Sequence, residues 1–255
     1  MSENHVLLES YLQTLKLKSF IENYQEIANQ CSRDALPYSS YLQQLSENEV
    51  NRRHINNVAE KIRKANFPSV KTFDNFVFDR VPSINKIMIS ELSKCEYIEQ
   101  KKNIIAIGNS GMGKTHIAIA LGVCACQKGL SVGYYSAANL VHILLEANEE
   151  RQFLKLQKKL LACDLLIIDE LGYVPLSKTG SELLFDVFSS RYEKGSIIVT
   201  SNLPFENWTE VFGCQRLTGA LLDRLTHHVC ILQFNGSESY RLHASKENIL
   251  QNATV

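Results

Sequence analysis

Residues 103–115 read NIIAIGNSGMGKT, an apolar run that breaks into Gly108-x-x-x-x-Gly113-Lys114-Thr115. In this P-loop pattern the glycines let backbone N–H groups close around phosphates, the lysine reaches the β and γ phosphates, and the hydroxyl ligates Mg²⁺. The pattern carries that meaning only between a strand and a helix. Here a strand-like run precedes it and a helix-like run, 115–127, follows. The ligand expected is ATP with Mg²⁺, cradled by Gly108, Asn109, Ser110, Gly111, Met112, Gly113, Lys114, Thr115 and His116.

A second element points to the same chemistry. Residues 162–170, ACDLLIIDE, form a short buried-strand pattern that ends in two carboxylates. In P-loop nucleotide hydrolases the acid at this strand end, here Asp169, holds Mg²⁺ together with the P-loop hydroxyl, here Thr115. Glu170 is placed to polarise a water for in-line attack on the γ-phosphate. An Asp-Glu pair also caps loops, but four apolar residues in a row before it, downstream of a P-loop, favour hydrolysis over binding alone.

Composition narrows the class. With 45% hydrophobic residues, 12 Gly and 5 Pro, the chain is globular in character. No run approaches the roughly 18 apolar residues of a membrane helix, and the first residues lack a signal-peptide pattern, so a cytoplasmic protein without membrane contact is expected. Seven cysteines fit reduced thiols, with Cys124 and Cys126 as packing residues of one helix. His227, His228 and Cys230 straddle a helix-to-strand boundary without the spacing of a zinc site. A net charge of zero excludes a globally basic nucleic-acid binder. Locally, however, residues 52–71 carry Arg52, Arg53, Lys61, Arg63, Lys64 and Lys71 against a single Glu60. On a helix, Arg53, Asn57, Lys61 and Lys64 share a face suited to phosphate contacts, or simply to solvent.

Periodicity divides the chain. Residues 5–66 are helical in pattern, with Leu7, Leu8, Tyr11, Leu12 and Leu15, then Phe20, Tyr24 and Ile27, then Tyr41, Leu42 and Leu45 at helical spacing. Pro68 and the following TFDNFVFD mark a linker. Beyond it, strands are expected at 103–107, 131–135, 164–168, 196–201 and 229–234, and helices at 83–97, 114–128, 137–161, 178–194 and 215–226. Alternation of this kind means right-handed crossovers and a parallel sheet covered on both faces, with ligands at the carboxyl ends of the strands. Thr200, Ser201 and Asn202 end a strand at that same edge; the Asn202 amide is placed to orient the attacking water, or else caps the next turn. Arg224 and Arg241, with Arg191 and Arg216 as further candidates, suit neutralisation of the transferred phosphoryl group from a neighbouring subunit, or surface ion pairs.

The chain resembles the IstB-type transposition helper ATPases, an AAA+ group near the DnaC-type helicase loaders and DnaA-type initiators. The resemblance covers nearly the whole chain and is densest in GNSGMGKTHIAIALG (108–122), LLIIDELGYVPLSKTGSELLFDVFSSRYE (165–193), IIVTSNLPFENW (197–208) and LLDRLTHH (221–228). It implies Walker A at 108–115, Walker B at Asp169 and Glu170, sensor 1 at Asn202, an arginine finger at Arg224 and a sensor 2 residue at Arg241. The implied architecture is a small all-helical domain, 1–66, before an α/β AAA+ core with a parallel five-stranded sheet, 67–255. The implied partners are further copies of the chain, duplex DNA and an IstA-type DDE transposase, and Arg52, Arg53, Lys61 and Lys64, with Asn57 on the same helix, gain weight as DNA contacts. Two departures stand out: Asn109 replaces a proline common in relatives, and only about 20 residues follow the last strand, too few for a full helical lid. A helicase loader, whose first helices would bind a protein, and an interaction module with little turnover are the competing readings.

Overall fold

Short β-branched runs between apolar helices bury both faces only inside a covered sheet. In the computed structural model, which describes residues 3–235, five such runs pair as one parallel sheet. They are β1 (Asn103–Gly108), β2 (Val132–Ser136), β3 (Leu165–Leu171), β4 (Ser196–Ser201) and β5 (Val229–Phe234), in the order β2-β3-β4-β1-β5. The described chain divides between Glu60 and Lys61 into two compact units.

The first unit holds α1 (Glu3–Thr14), α2 (Lys18–Arg33) and most of α3 (Tyr38–Ala65). Its core is Tyr24, Ile27, Cys31 and Leu45, with Phe20 and Tyr41 packed against them. The apolar stripe of α1 is not core: Leu12 is buried, but Leu7, Tyr11 and Leu15 are more than half exposed. Glu49 is buried and accepts the Ser19 N–H at 2.9 Å and the Arg53 guanidinium at 2.7 Å. Burial opposes its ionisation, yet these two bonds hold its carboxyl below the ordinary range.

The second unit contains α4 (Lys86–Ser93), α5 (Glu96–Glu99), α6 (Lys114–Gln127), α7 (Ala137–Glu149), α8 (Phe153–Leu161), α9 (Lys178–Arg191), α10 (Trp208–Phe212) and α11 (Gln215–Thr226). Strand alternation sends Ile104, Ala106, Ile167 and Ile198 to one face, under α6. It sends Ile105, Leu166, Ile168, Ile197 and Val199 to the other, under α7, α9, α10 and α11. Helix α6 is apolar all round because its outer side is covered as well. A Cβ at Gly122 would stand 2.8 Å from Ile167 and 2.9 Å from Phe67, so linker and sheet both close on it. The linker residues Phe76 and Val81 are buried in the same core.

Two expected helices are interrupted. The helix expected over 83–97 starts at Lys86, where the Asn85 side chain accepts the Ile87 and Met88 N–H groups, and it is cut at Cys95, which takes a left-handed φ of 59°. The helix expected over 137–161 breaks at Glu150, Arg151 and Gln152, with Arg151 at φ 58°.

Side chains lace the amino-terminal ends of the strands together. Asn103 donates to the Leu225 carbonyl at 3.1 Å and accepts the Ile197 N–H at 3.0 Å. Asp164 at the start of β3 accepts both the N–H and the hydroxyl of Ser131 at 2.7 Å. Arg191, read from sequence as a possible phosphate-neutralising arginine, is 1% exposed and donates to the carbonyls of Leu160, Cys163 and Ser196 at 2.5, 3.0 and 2.9 Å. Burial lowers its guanidinium pKa to about 10, and it is a clamp of the sheet, not a surface cation. Among the described residues no helix is long and apolar enough to cross a membrane.

Candidate active site

The loop between β1 and α6 is built around positions where only glycine fits. Gly108 has φ +148°, and a Cβ there would lie 2.2 Å from the Phe234 carbonyl oxygen. Gly113, at φ +93°, occupies the N-cap of α6, and its Cβ would strike the Phe76 ring at 2.7 Å. No side chain caps α6, so its first N–H groups and the positive end of its dipole favour an anion. Lys114 is 9% exposed and donates from Nζ to the Gly108 and Asn109 carbonyls at 2.6 and 2.8 Å. Met112 is buried in the core, so its part in the loop is backbone. His116 bonds the Thr72 carbonyl through Nε2 at 2.8 Å and packs edge-on to Phe76 at 5.2 Å, tying the linker to the P-loop helix.

Strand β4 lies between β3 and β1, so side chains from the outer two meet across its end. Asp169, 2% exposed, is surrounded by hydroxyls. Oδ1 accepts from Thr115 at 3.0 Å and Thr200 at 2.5 Å, and Oδ2 accepts from Tyr134 at 2.6 Å. Burial and the bond to Asp169 raise the Tyr134 pKa, keeping it a donor. Directly after Asp169 the β3–β4 register slips between Ile168 and Leu171, and Glu170 takes φ +60°. A left-handed backbone at a residue with a Cβ costs about 1–2 kcal/mol, and bulges of this kind re-aim side chains beside active sites. Glu170 is exposed at the cavity while Asp169 stays inside.

One cavity of about 510 Å³ gathers these groups. Ser110, Gly111, Gly113, Lys114, Thr115 and His116 line it from the P-loop, Asp169, Glu170, Thr200 and Asn202 from the strand ends, and Pro68, Ser69, Lys71 and Phe76 from the linker. The Asn202 Oδ1 is buried with no hydrogen-bond partner among the described residues. Sequence reasoning missed Tyr134 and the linker wall, and placed Thr200 at the site's edge without a partner. Tyr134 reads as an aromatic of a buried strand; the β2–β3 register, with Tyr134 opposite Ile167 and Ser136 opposite Asp169, is what brings it to the acid.

The remaining candidates lie elsewhere. Arg224 donates to the Ala220 carbonyl at 2.8 Å and stacks 5.1 Å above Phe185. With Arg216 it lines a separate cavity of about 650 Å³ beside Leu176, Phe212 and Leu217. Arg241 lies outside the described residues. Arg52 pairs with Glu22 at 3.2 Å, and Arg53, besides Glu49, donates to the Lys16 carbonyl at 3.1 Å. Asn57 and Lys64 are exposed and Lys61 half-buried. His227, His228 and Glu193 bring one potential ligand atom each within 4.8 Å at the surface, with the His227 Nδ1 already bonded to the Tyr192 hydroxyl at 2.9 Å.

The family model of IstB-like ATP binding proteins matches residues 10–248. The ATP-binding protein of insertion sequence IS21 from Pseudomonas aeruginosa is 37% identical over 235 residues, 92% of this chain and 88% of that protein. The corresponding protein of IS232 from Bacillus thuringiensis subsp. berliner is 34% identical over 250 residues, 97% of this chain and the whole of that one. Among solved structures, AMPPCP-bound DnaA from Aquifex aeolicus superposes with a TM-score of 0.54 at 22% identity, covering 73% of this chain and 56% of that one. This last likeness is one of fold: a parallel five-stranded sheet between helices.

Proposed function

The chain belongs to the IstB-like ATP binding protein family, and we propose that it hydrolyses ATP while assembled on duplex DNA, where it assists a DDE-type transposase in the cytoplasm. The observation that carries the hydrolytic reading is the gathering of Lys114, Thr115, Asp169, Glu170 and Asn202 around one cavity. The site fits its ligands. A Cβ at Gly108 or Gly113 would clash with Phe234 or Phe76, so the loop keeps its phosphate-binding shape only with glycine there, and Thr115 with Asp169 forms the oxygen donor set that Mg²⁺ prefers. When bound, that ion neutralises charge on the β and γ phosphate oxygens.

The chain's own residues do the rest. Lys114 exchanges the Gly108 and Asn109 carbonyls for phosphate oxygens. Glu170 accepts a hydrogen bond from the attacking water and draws off its proton. The unpartnered Asn202 Oδ1 holds the same water or a protonated neighbour in line. Arg224, turned away from its own chain's cavity, acts on the nucleotide of an adjacent copy. Mixing Arg224→Ala with Glu170→Gln protein is therefore expected to restore part of the hydrolysis that each lacks alone, measured as phosphate release. Absence of recovery would remove Arg224 from that role.

The helical unit, with residues 1–66 as its extent, serves DNA or partner binding, and residues 67–255 form the ATPase. Phosphates compete with Glu22 and Glu49 for Arg52 and Arg53, and Asn57, Lys61 and Lys64 add further contacts. Binding of this kind is salt-sensitive and weakly sequence-selective. The deciding experiment is steady-state ATP turnover with no DNA, with single strands and with duplex. Duplex stimulation is expected; stimulation by single strands alone would put a helicase-loading function in its place.

A further inference from the structure

Glu170 sits where its backbone is least comfortable, and one hydroxyl accounts for its staying there. The Glu170 N–H donates to Thr200 Oγ1 at 2.9 Å, and the same oxygen donates to Asp169 Oδ1 at 2.5 Å. A threonine hydroxyl has one proton. With that proton committed to the carboxylate, a lone pair is left pointing at the Glu170 amide. Thr200 itself cannot swing: it is 1% exposed in β4, a strand buried along its whole length. Its β-branched side chain has few rotamers to choose from. The bulge in β3 interrupts the ladder between Ile168 and Leu171, so this side-chain bond replaces the strand pairing that Glu170 loses.

We propose that Thr200 is a positioning residue of the hydrolytic centre. By joining the Glu170 amide to the Asp169 carboxylate it holds Glu170 in its left-handed conformation and so sets where the Glu170 carboxylate meets water. Thr200 acts on the chemical step through Glu170. The proposal rests on the reading of Asp169 and Glu170 as the hydrolytic pair.

The test compares Thr200→Val, Thr200→Ser and wild type in steady-state turnover and in binding of a fluorescent ATP analogue. Valine keeps the shape and removes the hydroxyl. It is expected to lower kcat by about 10²-fold, the size of effect an ångström of misplacement produces, while nucleotide affinity changes by less than about threefold. Serine keeps the hydroxyl and is expected to restore turnover. The same valine change made in Glu170→Gln protein is expected to add almost nothing, because the group it positions is already gone. A kcat for Thr200→Val near that of wild type overturns the proposal, as does an equal valine effect in the Glu170→Gln background. Should the valine protein lose ATP binding through misfolding, Thr200→Ala takes its place with the same expected split. Wild-type protein that binds ATP without turnover would sink the hydrolytic reading and this proposal together; turnover insensitive to Thr200 would sink this proposal alone.

Discussion

Glu170→Gln protein is expected to bind ATP and fail to hydrolyse it. Loss of a positioned base costs about 10²- to 10⁴-fold in rate. The substitution is nearly isosteric and leaves the rest of the site in place, because the Glu170 interaction that shapes the site is its backbone N–H on Thr200, which glutamine retains. The carboxylate itself is exposed at the cavity and braces no strand. Asp169 is different: three hydroxyls converge on it, so changing it disturbs the scaffold and the proposed metal ligand at once. A single-turnover assay beside an equilibrium binding assay separates the steps. Binding within about threefold of wild type with hydrolysis lost is the expected pair of results. Turnover close to wild type would mean that another group activates the water.

Lys114→Ala is expected to fail one step earlier, at binding. Truncating one partner of a buried charge pair typically costs about 2–5 kcal/mol, which is roughly 30- to 5,000-fold in affinity. The Lys114 ammonium is nearly enclosed, and its bonds to the Gly108 and Asn109 carbonyls place it inside the phosphate loop before any nucleotide arrives. Alanine removes both the charge and the brace that holds the loop open. Calorimetric titration with ATP, together with a melting curve to verify folding, measures the loss. Affinity unchanged from wild type would overturn the assignment of 108–115 as the phosphate cradle.

Much of this was legible in the sequence because strand and helix periods alternate cleanly beyond residue 100. The five strands lie where apolar runs predict them, and the P-loop, Asp169, Glu170 and Asn202 come to one edge, as parallel topology requires. The breaks at Cys95 and Arg151 were not legible, since neither is a glycine or a proline and each takes its left-handed conformation from its surroundings. The same holds for Glu170. Tyr134 and Thr200 belong to the site through strand register, a relation between segments distant in sequence. Arg191, a candidate for neutralising phosphate, is a cation spent on carbonyls in the interior, and α1 is the helix its apolar spacing predicts although most of those residues are exposed.

The lacing of the sheet at its amino-terminal ends has a mechanical meaning. With Arg191 gripping the Leu160, Cys163, Asp164 and Ser196 carbonyls, Asn103 bridging from β1 to Ile197 and Leu225, and Ser131 closed on Asp164, the strands are bound along one margin as pages are at a spine. The opposite margin, where the nucleotide cavity lies, is held by hydroxyls and a bulge. A nucleotide seated in that cavity therefore meets strand ends joined through hydroxyls, while the far ends of the same strands are joined through a buried guanidinium and an amide.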